Sequence, residues 1–310
     1  MKRRFQRYVR RPGGATAGDM RRVFEIGAER NRTVPADVRL VPVETPTVRG
    51  EWILARGVEP SDRAILYVHG GGFVACSPLT HRRLTVALAR RSGAPVFAVD
   101  YRRAPEHRFP AALDDVVAAY DALCVRLAGR GIAIAGDSAG GNLALAAAMV
   151  VRDRNALEPA PLAAVVAFSP FADLLGTGTS VVENARSDDM LTNNVAEHAL
   201  KYVDAERRND PLASPLYGSF ANLPPLLLFA SRSEVLRDDA VRVADRARAQ
   251  RVAVELVLED DMPHVWPLFY GLMPEAERAV ETAVTFLRRA WSRETDAATS
   301  LVSVPLSARP

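Results

Sequence analysis

Short runs of Val, Ile, Leu and Phe alternate along this chain with segments whose apolar residues recur at helical spacing. That alternation is the strongest constraint on the fold. A strand that is apolar at nearly every position must be covered on both faces, and helices lying between successive strands are what cover them. The runs predict strands over residues 38–43, 51–55, 64–69, 95–101, 131–136, 162–169, 226–231 and 253–258. Helical spacing predicts helices over 80–91, 110–127, 142–152, 238–250 and 275–292. The result is an α/β architecture: a mostly parallel eight-stranded sheet flanked by helices, within one domain spanning residues 1–310.

One stretch breaks the rhythm. Residues 172–222 are long and polar, with a single helical pattern at 195–207. So long an excursion inside a compact domain reads as a functional lid, and the first 45 residues are expected to complete it. The tail from 295 to 310 is small and polar and is expected to fray.

Composition narrows the possible partners. The chain carries 40 basic and 37 acidic side chains, a net charge of +3. Residues 1–32 hold ten of the basic groups against three acidic ones, so the body is close to neutral and the basicity is a terminal feature. A nucleic-acid surface needs a basic groove with interleaved aromatics, and none is visible. Arginine outnumbers lysine 38 to 2, but the arginines are spread along the whole chain. No apolar stretch is long enough to cross a bilayer, so no membrane partner is expected. The basic start is interrupted by Gln6, Arg7, Arg10 and Arg11, which leaves no signal-peptide core. Cys76 and Cys124 form neither a disulfide framework nor a zinc spacing, so the expectation is a cytoplasmic protein with no metal and no cofactor.

Two glycine motifs carry the chemistry. Gly136-Asp137-Ser138-Ala139-Gly140 lies between a predicted strand and a predicted helix. There a sharp reversal would leave the Ser138 hydroxyl projecting above the sheet at a helix N-terminus. The competing reading is a strand-to-helix turn that Ser138 merely caps. His69-Gly70-Gly71-Gly72 also follows a predicted strand, and such a run arises by accident in roughly one chain in a thousand. Its N–H groups can turn toward one point and bind developing negative charge. A phosphate loop is the rival, but no Gly-Lys-Ser/Thr follows, and the spacing of a dinucleotide fingerprint is not met.

A serine nucleophile needs a base and a carboxylate to orient that base. His69 belongs to the glycine loop, His81 and His107 precede Ser138, and His198 falls in the expected lid. His264 alone follows the last predicted strand, where the chain order serine, acid, histidine puts a base. The competing reading is a surface histidine beside Asp260 and Asp261. For the acid, the loop after strand 226–231 offers Glu234, Asp238 and Asp239. Glu234 comes first after the strand end and is favoured, whereas Asp238 and Asp239 suit the first turn of the next helix.

Together with Asp100-Tyr101-Arg102-Arg103-Ala104-Pro105-Glu106-His107 and Met262-Pro263-His264, these motifs resemble the hormone-sensitive-lipase-like family of α/β-hydrolases over residues 40 to 290. The resemblance implies an α/β-hydrolase fold with a helical lid, and a bacterial-type serine carboxylesterase acting on small, short-chain esters. It implies catalysis by Ser138, His264 and Glu234. The N–H groups of Gly71, Gly72 and Ala139 would form the oxyanion hole, with Asp137 and the 101–110 segment in support. A homodimer through an exposed sheet edge is a further expectation from it. Two positions depart from the family pattern. Glu234 stands where the acid is commonly Asp, and Val265 stands where Gly often follows the histidine, which is expected to reshape the leaving-group side of the pocket. A lactone hydrolase or a metabolite deacetylase would use the same triad. The alternative of another class is a non-catalytic small-molecule receptor on the same scaffold, although such receptors lack the working histidine.

Overall fold

The computed structural model describes residues 16–60, 62–127, 131–154, 162–188, 190–191 and 201–302. Its eight strands are β1 (Val38–Glu44), β2 (Arg49–Ala55), β3 (Ala64–Val68), β4 (Val96–Val99), β5 (Ile132–Asp137), β6 (Leu162–Phe168), β7 (Leu226–Ser231) and β8 (Val254–Glu259). They form one sheet in the order β1-β2-β4-β3-β5-β6-β7-β8. β2 runs antiparallel to both β1 and β4, and β3 to β8 are parallel.

The central strands are apolar throughout because both faces are covered. Along β3, Leu66 and Val68 face one core layer, built with the helices Ala111–Arg126, Ala139–Arg154 and Arg237–Ala249. Ile65 and Tyr67 face the other, built with Pro78–Ser92 and Pro274–Val302. The helix after β5 is buried along almost its whole length, which explains why Leu143 to Val151 has no polar face. At the margin of the sheet, β8 is only half-buried.

The strand order places the site. From β3 the chain crosses to β4 on one side and later returns to β5 on the other, so β3 and β5 lie side by side with their connections leaving in opposite directions. In an open α/β sheet a crevice forms at the C-terminal ends of such a pair. Val68 pairs with Gly136, so the glycine run after β3 and Ser138 after β5 emerge together.

The irregular regions differ from expectation in detail. Only the end of the predicted 195–207 helix falls within the described residues, and it closes as a 3-10 turn at Ala205–Arg207. At the C-terminus the last helix continues past residue 295, where fraying is expected, to Val302. No glycine or proline interrupts it before Pro305, and residues 303–310 lie outside the described residues. Among the described residues, no helix is long and apolar enough to cross a membrane.

Candidate active site

Ser138 occupies the turn from β5 into the helix Ala139–Arg154 with φ = 53°, a left-handed conformation that is strained for any residue with a side chain. Its N–H donates to the Phe168 carbonyl at 2.9 Å, and its own carbonyl accepts from Asn142 at 3.1 Å and Phe171 at 3.0 Å. The turn is possible because the chain closes tightly behind it. A Cβ on Gly140 would overlap the carbonyls of Val68 and His69, so only glycine lets the helix start so close to β3. The Asn142 side chain then donates to Phe171 and Ala213, both at 2.8 Å, pinning the loop beyond β6 to the same helix.

His264 lies in the loop after β8. Its Nδ1–H donates to Glu234 Oε2 at 2.6 Å, and the other carboxylate oxygen, Oε1, accepts from the Ser231 N–H at 2.8 Å. The pair is buried. Burial on its own would lower the His264 pKa, but the hydrogen bond and charge of Glu234 outweigh it and raise the value above 6.5. The outer nitrogen, Nε2, has no hydrogen-bond partner among the described residues. The histidine loop is tied back toward the serine. Val265 N–H donates to Ser169 Oγ at 3.3 Å, and Ser169 follows Phe168, whose carbonyl holds Ser138.

Asp238 and Asp239 are engaged elsewhere. Asp238 accepts from the Ser180 N–H at 2.9 Å and pairs with Arg237 at 2.8 Å. Asp239 accepts from the N–H groups of Ala172 and Asp173 at 2.8 and 2.9 Å. Of the three acids that follow β7, the one in contact with His264 is therefore Glu234. Its extra methylene relative to aspartate is accommodated by the loop folding back, which brings Oε1 onto the backbone of β7.

In the glycine run, Gly71 and Gly72 have φ of 106° and 62°, conformations that turn successive N–H groups toward one side. A side chain on Gly71 would overlap the Ala75 carbonyl. Ala139 begins the helix beside them, where an N–H group is unclaimed by the first turn.

Asp137 anchors this arrangement from below. Its buried carboxylate accepts from Tyr67 Oη at 2.7 Å and from the Gly70 N–H at 3.1 Å, and lies 3.2 Å from His81 Nε2. Burial pushes the Asp137 pKa up, but His81 and the Tyr67 hydroxyl outweigh it and hold the carboxyl below its usual value. His69 stacks on Tyr101 at 4.2 Å and donates Nδ1–H to the Gly70 carbonyl at 2.8 Å. Burial, reinforced by the charge of His81, drives its pKa down to about 3. His69 is thus a neutral structural part of the loop. Tyr67 and His81 are missed by sequence reasoning, because nothing in an apolar strand or a helix's first turn marks a side chain that reaches a carboxylate across the sheet.

Other nucleophiles are poorly placed for chemistry. Burial pushes both the Cys76 and Cys124 thiols up, and no group of three or more potential metal-binding side chains occurs among the described residues. Val265 adopts φ = 53°, which explains why glycine suits that position. Its side chain is buried in the core layer that contains Trp266.

A sequence profile described as the alpha/beta hydrolase fold matches residues 65–268. An esterase of the bacterial hormone-sensitive lipase family, known from a crystal structure, superimposes with a TM-score of 0.86 at 38% identity, covering 94% of this chain and 96% of its own. The chain belongs to that family. The chain is similar to an acetyl-hydrolase of Streptomyces hygroscopicus, 40% identical over 242 residues, covering 77% of this chain and 79% of the relative. It is also similar to an esterase of Acinetobacter venetianus, 34% identical over 252 residues, covering 80% and 82%. Family membership makes this hydrolase a carboxylic ester hydrolase.

Proposed function

We propose that the protein is a serine carboxylesterase for short-chain esters, with Ser138 as nucleophile, His264 as general base and acid, and Glu234 as the orienting carboxylate. The observation that carries this reading is the 2.6 Å bond from His264 Nδ1 to Glu234. It fixes the tautomer in which Nε2 bears the lone pair, the state needed to accept a proton from Ser138.

In the first half-reaction Ser138 Oγ forms a bond to the ester carbonyl carbon while its proton passes to His264 Nε2. The carbonyl oxygen becomes an oxyanion bound by the N–H groups of Gly71, Gly72 and Ala139, each such donor contributing about 10² to 10³ in rate. The imidazolium, stabilised by Glu234, returns the proton to the departing alkoxide as the carbon–oxygen bond breaks. Water then attacks the acyl-enzyme by the same route, and the acid leaves with Ser138 restored.

Both irregular regions serve as the lid in this reading, because each touches a residue directly after the glycine run. Arg21, from the helix Ala17–Ala28, donates Nε to the Val74 carbonyl at 2.7 Å and Nη2 to Ala104 at 2.9 Å, and pairs with Glu106 at 2.6 Å. Tyr202, from the long insertion, stacks on Phe73 with ring centres 3.8 Å apart. The similarity to an acetyl-hydrolase favours a short acyl chain. Two finer points complete the proposal: a cytoplasmic location, in keeping with the unpaired thiols Cys76 and Cys124, and a homodimer through the half-buried edge strand β8.

A series of p-nitrophenyl esters from acetate to dodecanoate, run beside several lactones, tests the substrate class. The proposal expects kcat/KM to peak at two to four carbons, about, and to fall steeply beyond. A maximum at long chains, or a preference for lactones, overturns it.

A further inference from the structure

The loop that carries Glu234 is held in good part by side chains from outside it. Between the end of β7 at Ser231 and the helix beginning at Arg237, its backbone polar groups are met by side chains from residues 180–188, at the start of the long insertion. Asn184 Nδ2 donates to the carbonyls of Arg232 at 2.9 Å and Glu234 at 2.8 Å. Ser187 Oγ donates to the Ser233 carbonyl at 3.0 Å. Val235 donates its N–H to Asp188 Oδ2 at 2.9 Å, and its carbonyl accepts from Ser180 Oγ at 2.8 Å. The backbone contacts within the loop are longer, from Glu234 N–H to the Ser231 carbonyl at 3.4 Å and from Arg237 N–H to the Glu234 carbonyl at 3.2 Å, while Arg232 N–H donates to Glu259 of β8 at 2.8 Å.

Asn184 is buried. Both partners of its side-chain nitrogen are carbonyl oxygens, so the donor end of the amide is fixed by its surroundings. Asp188 is equally committed, since its second oxygen accepts from the N–H groups of Met190 and Leu191 at 2.9 and 2.8 Å. These two side chains grip the peptide group that follows the Glu234 Cα, one at its carbonyl and one at its N–H, while Ser187 takes the carbonyl of the peptide group that precedes it. The carboxylate must meet His264 at 2.6 Å while its other oxygen stays on Ser231, and that geometry leaves no slack in the backbone.

We propose that Asn184 and Asp188 are positioning residues for the reaction, clamping the peptide group that links Glu234 to Val235 so that the Glu234 carboxylate stays in register with His264. The inference rests on the assignment of Ser138, His264 and Glu234 given above. It makes the insertion part of the catalytic machinery as well as a cover for it, because the segment that leads into the insertion also sets the triad.

The test is a double-mutant cycle with Asn184→Asp, which keeps the side chain's size but turns an oxygen toward two carbonyls. In the wild-type background kcat for p-nitrophenyl acetate should fall about 10- to 100-fold with KM changed less than about two-fold. In a Glu234→Ala background the same substitution should cost less than about two-fold further, since the group it positions is already gone. Asp188→Asn adds a readout that packing alone would not move. The acidic groups that bear on His264 are Glu234, Asp188 and Asp137, so removing one charge should shift the acid limb of the pH profile to lower pH. Equal losses in both backgrounds, or wild-type kcat in Asn184→Asp while Glu234→Ala is crippled, overturn the positioning role and leave the triad standing. Full activity in Glu234→Ala overturns the triad assignment and this inference with it. Should Asn184→Asp fail to fold, Asp188→Asn takes its place in the same cycle.

Discussion

Replacing Glu234 by glutamine removes one charge and almost no volume, and the hydrogen bonds around it dictate what must follow. In the wild type Oε1 accepts from the Ser231 N–H and Oε2 accepts from His264 Nδ1–H. A glutamine has one acceptor and one donor at those two places. If its oxygen stays on Ser231, the amide NH₂ faces His264 and forces the proton onto Nε2, leaving no base for Ser138. If it flips, the NH₂ faces the buried Ser231 N–H, a donor without an acceptor, at about 1–3 kcal/mol. In either orientation the imidazolium formed in the transition state loses a charge-assisted bond worth about 1.5–3 kcal/mol. The sum, ~2.5–6 kcal/mol, predicts that Glu234→Gln lowers kcat/KM by about 10² to 10⁴. The assay is hydrolysis of p-nitrophenyl acetate, with circular dichroism to confirm the fold and Asp238→Asn as a control that should stay close to wild type in rate. A Glu234→Gln variant retaining more than about a tenth of the wild-type kcat/KM would refute the reasoning.

Further outcomes follow from the same geometry. The wild-type kcat/KM should fall on the acid side through a pKa above 6.5, because Glu234 favours the protonated form of His264 and the base works only when neutral. In Glu234→Gln that limb should move to lower pH, and a limb that stays in place contradicts the assigned cause. Gly140→Ala should destabilise the fold by ~3 kcal/mol, since a Cβ there meets the backbone carbonyls of Val68 and His69; an unchanged thermal midpoint would show that the turn can relax. Arg21→Ala removes hydrogen bonds to Val74, Ala104 and Glu106, and should raise KM for p-nitrophenyl acetate more than it lowers kcat if the N-terminal helix covers the site. A change confined to kcat would argue against that lid.

Much of this was legible in the residues because the relevant physics is local. Strands covered on both faces must be continuously apolar, so β3, β5, β6 and β7 stand out from their neighbours. The turn at Ser138 and the run at Gly71 need glycine for steric reasons that act over a few residues, and both are visible as motifs. Glu234 could be preferred to Asp238 from its place after β7, since Asp238 and Asp239 serve the turns around them. What stayed hidden depends on pairings across long sequence separations. Tyr67 and His81 converge on Asp137 from separate elements, and Asn184 reaches Glu234 from an insertion with no regular pattern. At Val265 the departure from glycine is visible in the sequence, but the burial of its side chain beside Trp266 is not.

The central claim is that the Ser138 hydroxyl is activated by His264, and stoichiometric labelling tests it most directly. Intact-mass spectrometry after exposure to an organophosphate should show one adduct per chain, mapped to Ser138 by peptide sequencing, with none in Ser138→Ala and labelling slowed by at least about 10³ in His264→Ala. An adduct on another residue, or undiminished labelling of Ser138 when His264 is gone, would contradict it.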